Sequence, residues 1–203
     1  DAARPLSRTR DDEVMDDAHK GLAERFGMTL SGVHVRPAAH AVSAQQLTGI
    51  RAALKRAMKR SRAWRPAADG WDSIATGLRS TYRRARRALR RARKDRATDD
   101  LHEWRKQTKY LWHQLQILAP IATGPVGELA DEFHHLADYL GDEHDLAVLR
   151  PRVPAPATDL VDRRREELQD KALALGERLY ANKSKTFVHS PEKLWTQWQR
   201  QEP

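Results

Sequence analysis

The feature that most restricts the fold is a block of positive charge in the middle of the chain. Residues 79–113 contain thirteen Lys and Arg but only four acids, a net charge of +9, which equals the formal net charge of all 203 residues. Such a block resists burial and its members repel one another, so a bound polyanion would stabilise it. Each element that carries the block must therefore keep one face turned outward.

The composition predicts an all-α protein. Ala, Leu, Arg, Glu and Lys dominate, and no alternating apolar and polar run reaches the length of a strand. The hydrophobic content of 39% allows a sizeable core, and the absence of Cys excludes disulfides and thiolate metal sites. No run of 18 or more apolar residues is present, so we expect no membrane span and a cytoplasmic protein.

Residues that cap or break helices divide the chain into predicted helices. The first five are expected at about residues 11–26, 43–63 with Ser43 as N-cap, 72–97, 98–119 and 123–140. Gly141 is expected to interrupt the fifth helix before a short helical piece that ends at Arg150. The proline-rich segment 151–156 should be a linker, followed by a long helix that Thr158 or Asp159 caps and that reaches about Ala181. Ser190 and Pro191 should start a last short helix.

Two neighbouring predicted helices each have a basic face beside an apolar one. At about 100° per residue, one sector of roughly 80° on the first of them holds Arg79, Arg83, Arg86, Arg90 and Arg93. The adjoining sector is apolar and holds Leu78, Ala85, Ala88, Leu89 and Ala92. On the next helix the basic residues are His102, Arg105, Lys106, Lys109 and His113. They lie nearly opposite a core seam of Leu101, Trp104, Thr108, Leu111, Leu115 and Leu118. We therefore predict two aligned basic faces.

These residue types suit a phosphate-rich ligand. Arg grips two phosphate oxygens with its planar fork, and Lys adds a point charge with more reach. His102 should hold its proton weakly among so many cations unless an anion arrives to stabilise it. A basic helix face can also be merely solvated, but alignment of two such faces favours anion binding.

Three spaced segments resemble the CHAD family of α-helical, histidine-bearing domains. They are YRRARRAL at 82–89, LHEWRKQTKY at 101–110 and LGDEHDLAVL at 140–149. The family pattern has an arginine-rich helix, then His-x-x-Arg-Lys-x-x-Lys, then Leu-Gly-x-x-x-Asp-Leu-x-Val, in that order. The resemblance covers roughly residues 71–150.

The resemblance implies a helical bundle built from two similar four-helix lobes around a pseudo-twofold axis. It further implies binding of inorganic polyphosphate in a basic groove, and location on polyphosphate granules. Residues 6–14 look like a counterpart of 140–148 without the helix that should precede them. We therefore expect residues 1–70 to be a partial first repeat, whether truncated or degenerate, and residues 71–203 to be the second repeat with the groove.

The resemblance also implies a set of polyphosphate-binding residues: Tyr82, Arg83, Arg86, Arg90, His102, Arg105, Lys106 and Lys109. Lys183 and Lys185 resemble a basic segment that closes one end of the groove, although an exposed loop is an equal alternative. His144 is placed at the groove mouth, and Asp145 is expected to cap the short helix there.

Two other functions remain open. A metal-dependent phosphohydrolase would use His134, His135, His144 and Asp145 as ligands, but adjacent residues on a helix point about 100° apart. Non-specific nucleic-acid binding would use the same cations, with Trp112, Trp195 and Trp198 available for stacking if exposed. No phosphate loop or nucleophile elbow occurs. We therefore predict a binding protein without enzymatic activity, metal or cofactor.

Overall fold

The computed structural model describes residues 20–21, 24, 43–65, 70–121 and 124–200. All regular structure in these ranges is helical, which confirms the predicted all-α class. The helices are α1 (Ala44–Ala63), α2 (Trp71–Asp95), α3 (Thr98–Leu118), α4 (Pro125–Leu149), a 3₁₀ turn (Arg150–Arg152), α5 (Ala155–Leu179) and α6 (Ser184–Gln199). None of the described helices has the length and apolar character needed to cross a membrane. The predicted helix at 11–26 and the segment 6–14 lie almost entirely outside the described residues.

The chain divides into two compact units. The first consists of Asp1–Pro66 and Val148–Asp162, and the second of Ala67–Ala147 and Arg163–Pro203. The predicted division into two repeats stays a prediction. Within the first unit Ser43 caps α1 as expected, because its hydroxyl accepts from the Gln46 amide while the Gln46 side chain accepts from the Ser43 amide.

The second unit begins with a hairpin of α2 and α3. Arg96 ends α2 in the left-handed conformation, with φ of 55°, and its amide bonds the Ala92 carbonyl. The connection is only two residues long, so α3 packs back along α2. Arg91 on α2 reaches Asp100 on α3 at 2.9 Å, consistent with that packing.

The core of the second unit follows the predicted apolar sectors. All six residues of the α3 seam are buried, and so are the five apolar residues predicted for α2. Trp104 is fully buried and is among the largest core side chains. Phe133 of α4, Ala172 of α5 and Phe187 of α6 complete this cluster. Burial of these side chains is what holds the helices together.

Three predicted helix boundaries are wrong. α4 continues through Gly141, so Asp145 is not an N-cap. A glycine inside a helix costs about 1 kcal/mol, but Leu140 and Leu146 on either side are buried and keep the helix intact. α6 begins at Ser184 and runs through Pro191. Burial again outweighs the local preference, because Phe187 and Val188 before the proline lie in the core.

The proline-rich segment is also partly helical, contrary to the prediction. α5 begins at Ala155, ahead of Thr158 and Asp159, and the Pro154 carbonyl accepts from the Ala157 amide at 2.9 Å. Pro156 lies in the first turn, where a missing N–H leaves no intrahelical bond unmade.

Candidate anion-binding site

Six arginines of α2, together with its C-cap Arg96, fall into two groups, to which Arg84 and Arg87 do not belong. Those of the first group each pair with a carboxylate at 2.8–3.0 Å: Arg91 with Asp100, Arg93 with Glu177 and Arg96 with Asp170. The second group, which we call the α2 face, consists of Arg79, Arg83, Arg86 and Arg90. Among the described residues no carboxylate lies within ion-pair distance of them. The α2 face therefore keeps its charge unneutralised by the second unit.

The ion pairs of the first group show which way the α2 face points. Arg93 reaches α5 through Glu177, whereas Arg91, two residues earlier and about 200° away around the helix, reaches α3 through Asp100. The α2 face shares its sector with Arg93. It therefore borders α5 and turns away from α3.

Tyr82 does not belong to the exposed binding surface, contrary to the prediction. Its side chain is fully buried, and its hydroxyl donates to the Asn182 carbonyl at 2.9 Å with the Leu179 carbonyl at 3.3 Å. Burial raises the pKa of Tyr82 to about 12, although the nearby Arg86 guanidinium acts to lower it. The hydroxyl therefore stays protonated and holds the turn between α5 and α6.

That turn carries two of the predicted binding residues. Lys183 is the N-cap of α6, and both Lys183 and Lys185 are exposed. No side chain caps this helix and its first turn contains no acid, so the positive end of the helix and two lysines lie together. Lys183 directly follows Asn182, so the two lysines lie at the turn that Tyr82 contacts.

A second cationic cluster forms where α3 packs against α4. We call it the α3 face, and it consists of His102, Arg105 and Lys109 of α3 with His144 of α4. The rings of His102 and His144 have centroids 4.8 Å apart. Arg105 lies against Gly141, where an added Cβ would be 3.5 Å from its Nη2. The Nε of Arg105 is buried and has no hydrogen-bond partner among the described residues.

Carboxylates lie close to the cations of α3. Lys106 pairs with Glu103 one turn away, and hydrogen bonding to Lys106 lowers the pKa of Glu103. Lys106 therefore has a local counter-charge. Desolvation raises the pKa of Asp142, with Asp138 adding to the rise, whereas Arg164 and Arg105 lower it.

A buried ion pair fixes the position of α4. The Glu143 side chain is only 2% exposed and accepts from Arg165 at 2.7 and 3.0 Å and from Gln169 at 3.0 Å. Arg165 also donates to Thr98 at the start of α3. This network joins three helices beside His144. Sequence reasoning missed Glu143, although a lone acid within an apolar helix face is the signal that would have indicated it.

The predicted alignment of the two basic faces stays a prediction. The α2 face shares its sector with Arg93, which reaches α5, whereas the α3 face borders α4 through Gly141 and His144. Periodicity gives the angle of each face relative to its own apolar sector. It carries no information on which neighbouring helix packs on each side.

The histidines proposed as metal ligands are dispersed. His134 stacks on Trp112 at 4.1 Å and lies 3.6 Å from Asp138, while His144 faces His102. Across the ranges that the structure describes, no three His, Asp or Glu side chains converge as a metal site.

The tryptophans pack mainly against one another and the core. Trp195 lies 6.0 Å from Trp71 and 5.3 Å from Trp198, and Trp112 is half-buried beneath His134. The residue with a freely exposed indole is Trp64, which is 71% exposed.

Comparison with known proteins identifies the family. No curated protein and no solved structure matches the chain significantly. The CHAD domain family matches residues 1–154, which include both basic faces but end before Lys183 and Lys185. The match covers most of the chain, and it agrees with the three motifs and with the helical fold. The chain therefore belongs to the CHAD domain family.

Proposed function

We propose that this protein binds inorganic polyphosphate without hydrolysing it. The observation that carries the proposal is the separation of arginines into paired and unpaired groups on a single helix. Arg91, Arg93 and Arg96 have carboxylate partners, whereas Arg83, Arg86 and Arg90 have none among the described residues. A protein that keeps such charge unpaired gains stability when an anion binds there. Membership of the CHAD family supports polyphosphate as that anion.

Binding is multivalent because each of the two faces carries several cations. Arg and Lys displace counterions and form charge-assisted hydrogen bonds with phosphate oxygens on each face. The half-buried Arg105 guanidinium supplies donors on the α3 face for phosphate oxygens. A polymer long enough to contact both faces binds more tightly than a short one, since the second contact is intramolecular.

Three double variants test the site against the effect of net charge. R83Q/R90Q removes two charges from the α2 face, and R105Q/K109Q removes two charges from the α3 face. The control, R91Q/R93Q, removes two charges that are paired with carboxylates. We expect each face variant to weaken polyphosphate affinity about tenfold or more, and the control much less. Isothermal titration calorimetry measures this, with circular dichroism to verify unchanged helicity. Equal losses in all three variants would show that net charge alone drives binding.

Two further measurements separate the alternatives. The first is competition with DNA at equal phosphate concentration. A dedicated polyphosphate receptor retains polyphosphate in the presence of DNA, whereas a general polyanion binder releases it. Incubation with polyphosphate and Mg²⁺ or Mn²⁺ tests for phosphate release. Release abolished by substituting His144 would favour the metal-dependent phosphohydrolase.

The proposed location follows from the proposed ligand. A cytoplasmic protein that binds polyphosphate at two faces accumulates on polyphosphate granules. A fluorescent fusion should form foci in cells that contain granules and become diffuse when the α2 and α3 faces are both neutralised. Foci that persist in cells lacking polyphosphate would contradict this proposal.

A further inference from the structure

Two buried tyrosines hold the turn between α5 and α6. Tyr180, within the turn, bonds Thr108 of α3 at 3.1 Å, and Tyr82 of α2 contacts the turn as well. Tyr82 donates its hydroxyl to the Asn182 carbonyl at 2.9 Å, and its ring stacks on Phe187 of α6 with centroids 4.1 Å apart. These two contacts bracket the segment that carries Lys183 and Lys185. The Lys183 carbonyl accepts the Phe187 amide at 3.0 Å, which makes the stacked ring part of the first turn of α6.

We propose that Tyr82 is a positioning residue that fixes Lys183 and Lys185 for contact with the polyanion. It is fully buried, so it does not touch a ligand itself. The inference rests on the proposed polyphosphate binding. It concerns two lysines that lie beyond residue 154, where the family match ends.

The charge at this turn explains why positioning is needed. Two lysines beside the positive end of a helix repel each other and the helix dipole, and no acid in the first turn offsets them. Without an anchor the turn would relax to spread these charges. The Tyr82 hydroxyl opposes that relaxation, and its raised pKa keeps it a donor throughout the physiological range.

The test is a double-mutant cycle on polyphosphate affinity. Y82F removes the hydroxyl and keeps the ring that stacks on Phe187, while K183A/K185A removes the lysines. We expect Y82F to weaken binding roughly three- to tenfold, as for loss of one hydrogen bond, and to have no further effect in the K183A/K185A background. It should also lower the dependence of affinity on salt, because fewer phosphates are neutralised.

A control that lowers stability away from this turn is available on α3. Leu115→Ala truncates a fully buried side chain of the core seam. We expect it to lower the free energy of unfolding but to leave polyphosphate affinity and its salt dependence unchanged. Equal affinity losses in Y82F and Leu115→Ala would overturn the inference, since they would indicate a general loosening.

The outcomes separate this inference from the proposed function. If the unsubstituted protein binds no polyphosphate, the proposed function fails and the inference fails with it. If it binds but K183A/K185A binds equally well, polyphosphate binding stands and the role of Tyr82 is refuted. An additive loss from Y82F in the K183A/K185A background would refute it as well.

Discussion

Gly176 gives the sharpest test of the core packing, because α5 approaches Trp104 of α3 at this residue. A Cβ added at Gly176 would lie 2.4 Å from Cζ2 and 2.8 Å from Cη2 of the indole. Carbon atoms in contact normally lie about 3.5–4.0 Å apart. We therefore expect Gly176→Ala to force the indole or α5 to move by about 1 Å, although Trp104 is fully buried.

Two opposing contributions decide how much Gly176→Ala changes the free energy of unfolding. Alanine in place of a helical glycine stabilises by about 1 kcal/mol, whereas overpacking a core costs typically about 1–3 kcal/mol. The indole is among the largest fully buried side chains, so the upper part of that range applies. We expect Gly176→Ala to lower the free energy of unfolding by about 1–2 kcal/mol.

The effect of Gly176→Ala on the free energy of unfolding should change sign once the indole is removed. Trp104→Ala alone should cost about 3–5 kcal/mol. In that background Gly176→Ala meets no ring and should stabilise by up to about 1 kcal/mol, so the two sites should couple by about 2–3 kcal/mol. Gly77→Ala is the matched control, because a Cβ there meets nothing within 4 Å, and it should stabilise by about 0.5–1 kcal/mol.

Urea denaturation followed by circular dichroism measures all of these variants. The slope of the free energy against urea concentration must stay constant for the comparison to hold. Gly176→Ala that stabilises the protein as much as Gly77→Ala would refute the close approach. The same loss with and without Trp104 would place the cause elsewhere than in the indole.

Three further predictions concern α4 and its neighbours. Glu143→Ala should destabilise by about 3–5 kcal/mol in urea denaturation, since it leaves Arg165 without its buried partner; a loss under 1 kcal/mol would contradict this. Asp142→Asn should raise polyphosphate affinity in calorimetry by removing a negative charge near Arg105; lower affinity would refute that. Because desolvation raises the pKa of Asp142, Asp142→Asn should also stabilise the protein above that pKa and lose the advantage as the pH falls through it. Denaturation at several pH values tests this, and a gain that grows towards acid pH would have the wrong sign.

Where the sequence alone failed on secondary structure, tertiary contacts outweighed local preference. Gly141, Pro156 and Pro191 are all helix-breaking types, yet each lies within a helix. Leu140 beside Gly141 and Phe187 and Val188 before Pro191 are buried, and that burial exceeds the local cost. A single glycine or proline costs a few kcal/mol at most, so it marks a helix end only where no core contact opposes it.

The sequence by itself determined the properties that depend on spacing along one helix. These were the all-α class, the Ser43 cap, the seam around Trp104 and the division of α2 into an apolar and a basic sector. Residue preferences decide the first two and the helical periodicity of 3.6 residues decides the last two, because all four depend on residues close together in sequence.

Only the tertiary structure decided which helix lies beside each face. It buried Tyr82 beneath the turn at Asn182 and paired Arg91 and Arg93 with carboxylates on different helices. The physical reason is that these outcomes depend on partners up to 100 residues away in sequence. Packing of the whole bundle brings such partners together, and no local pattern records it.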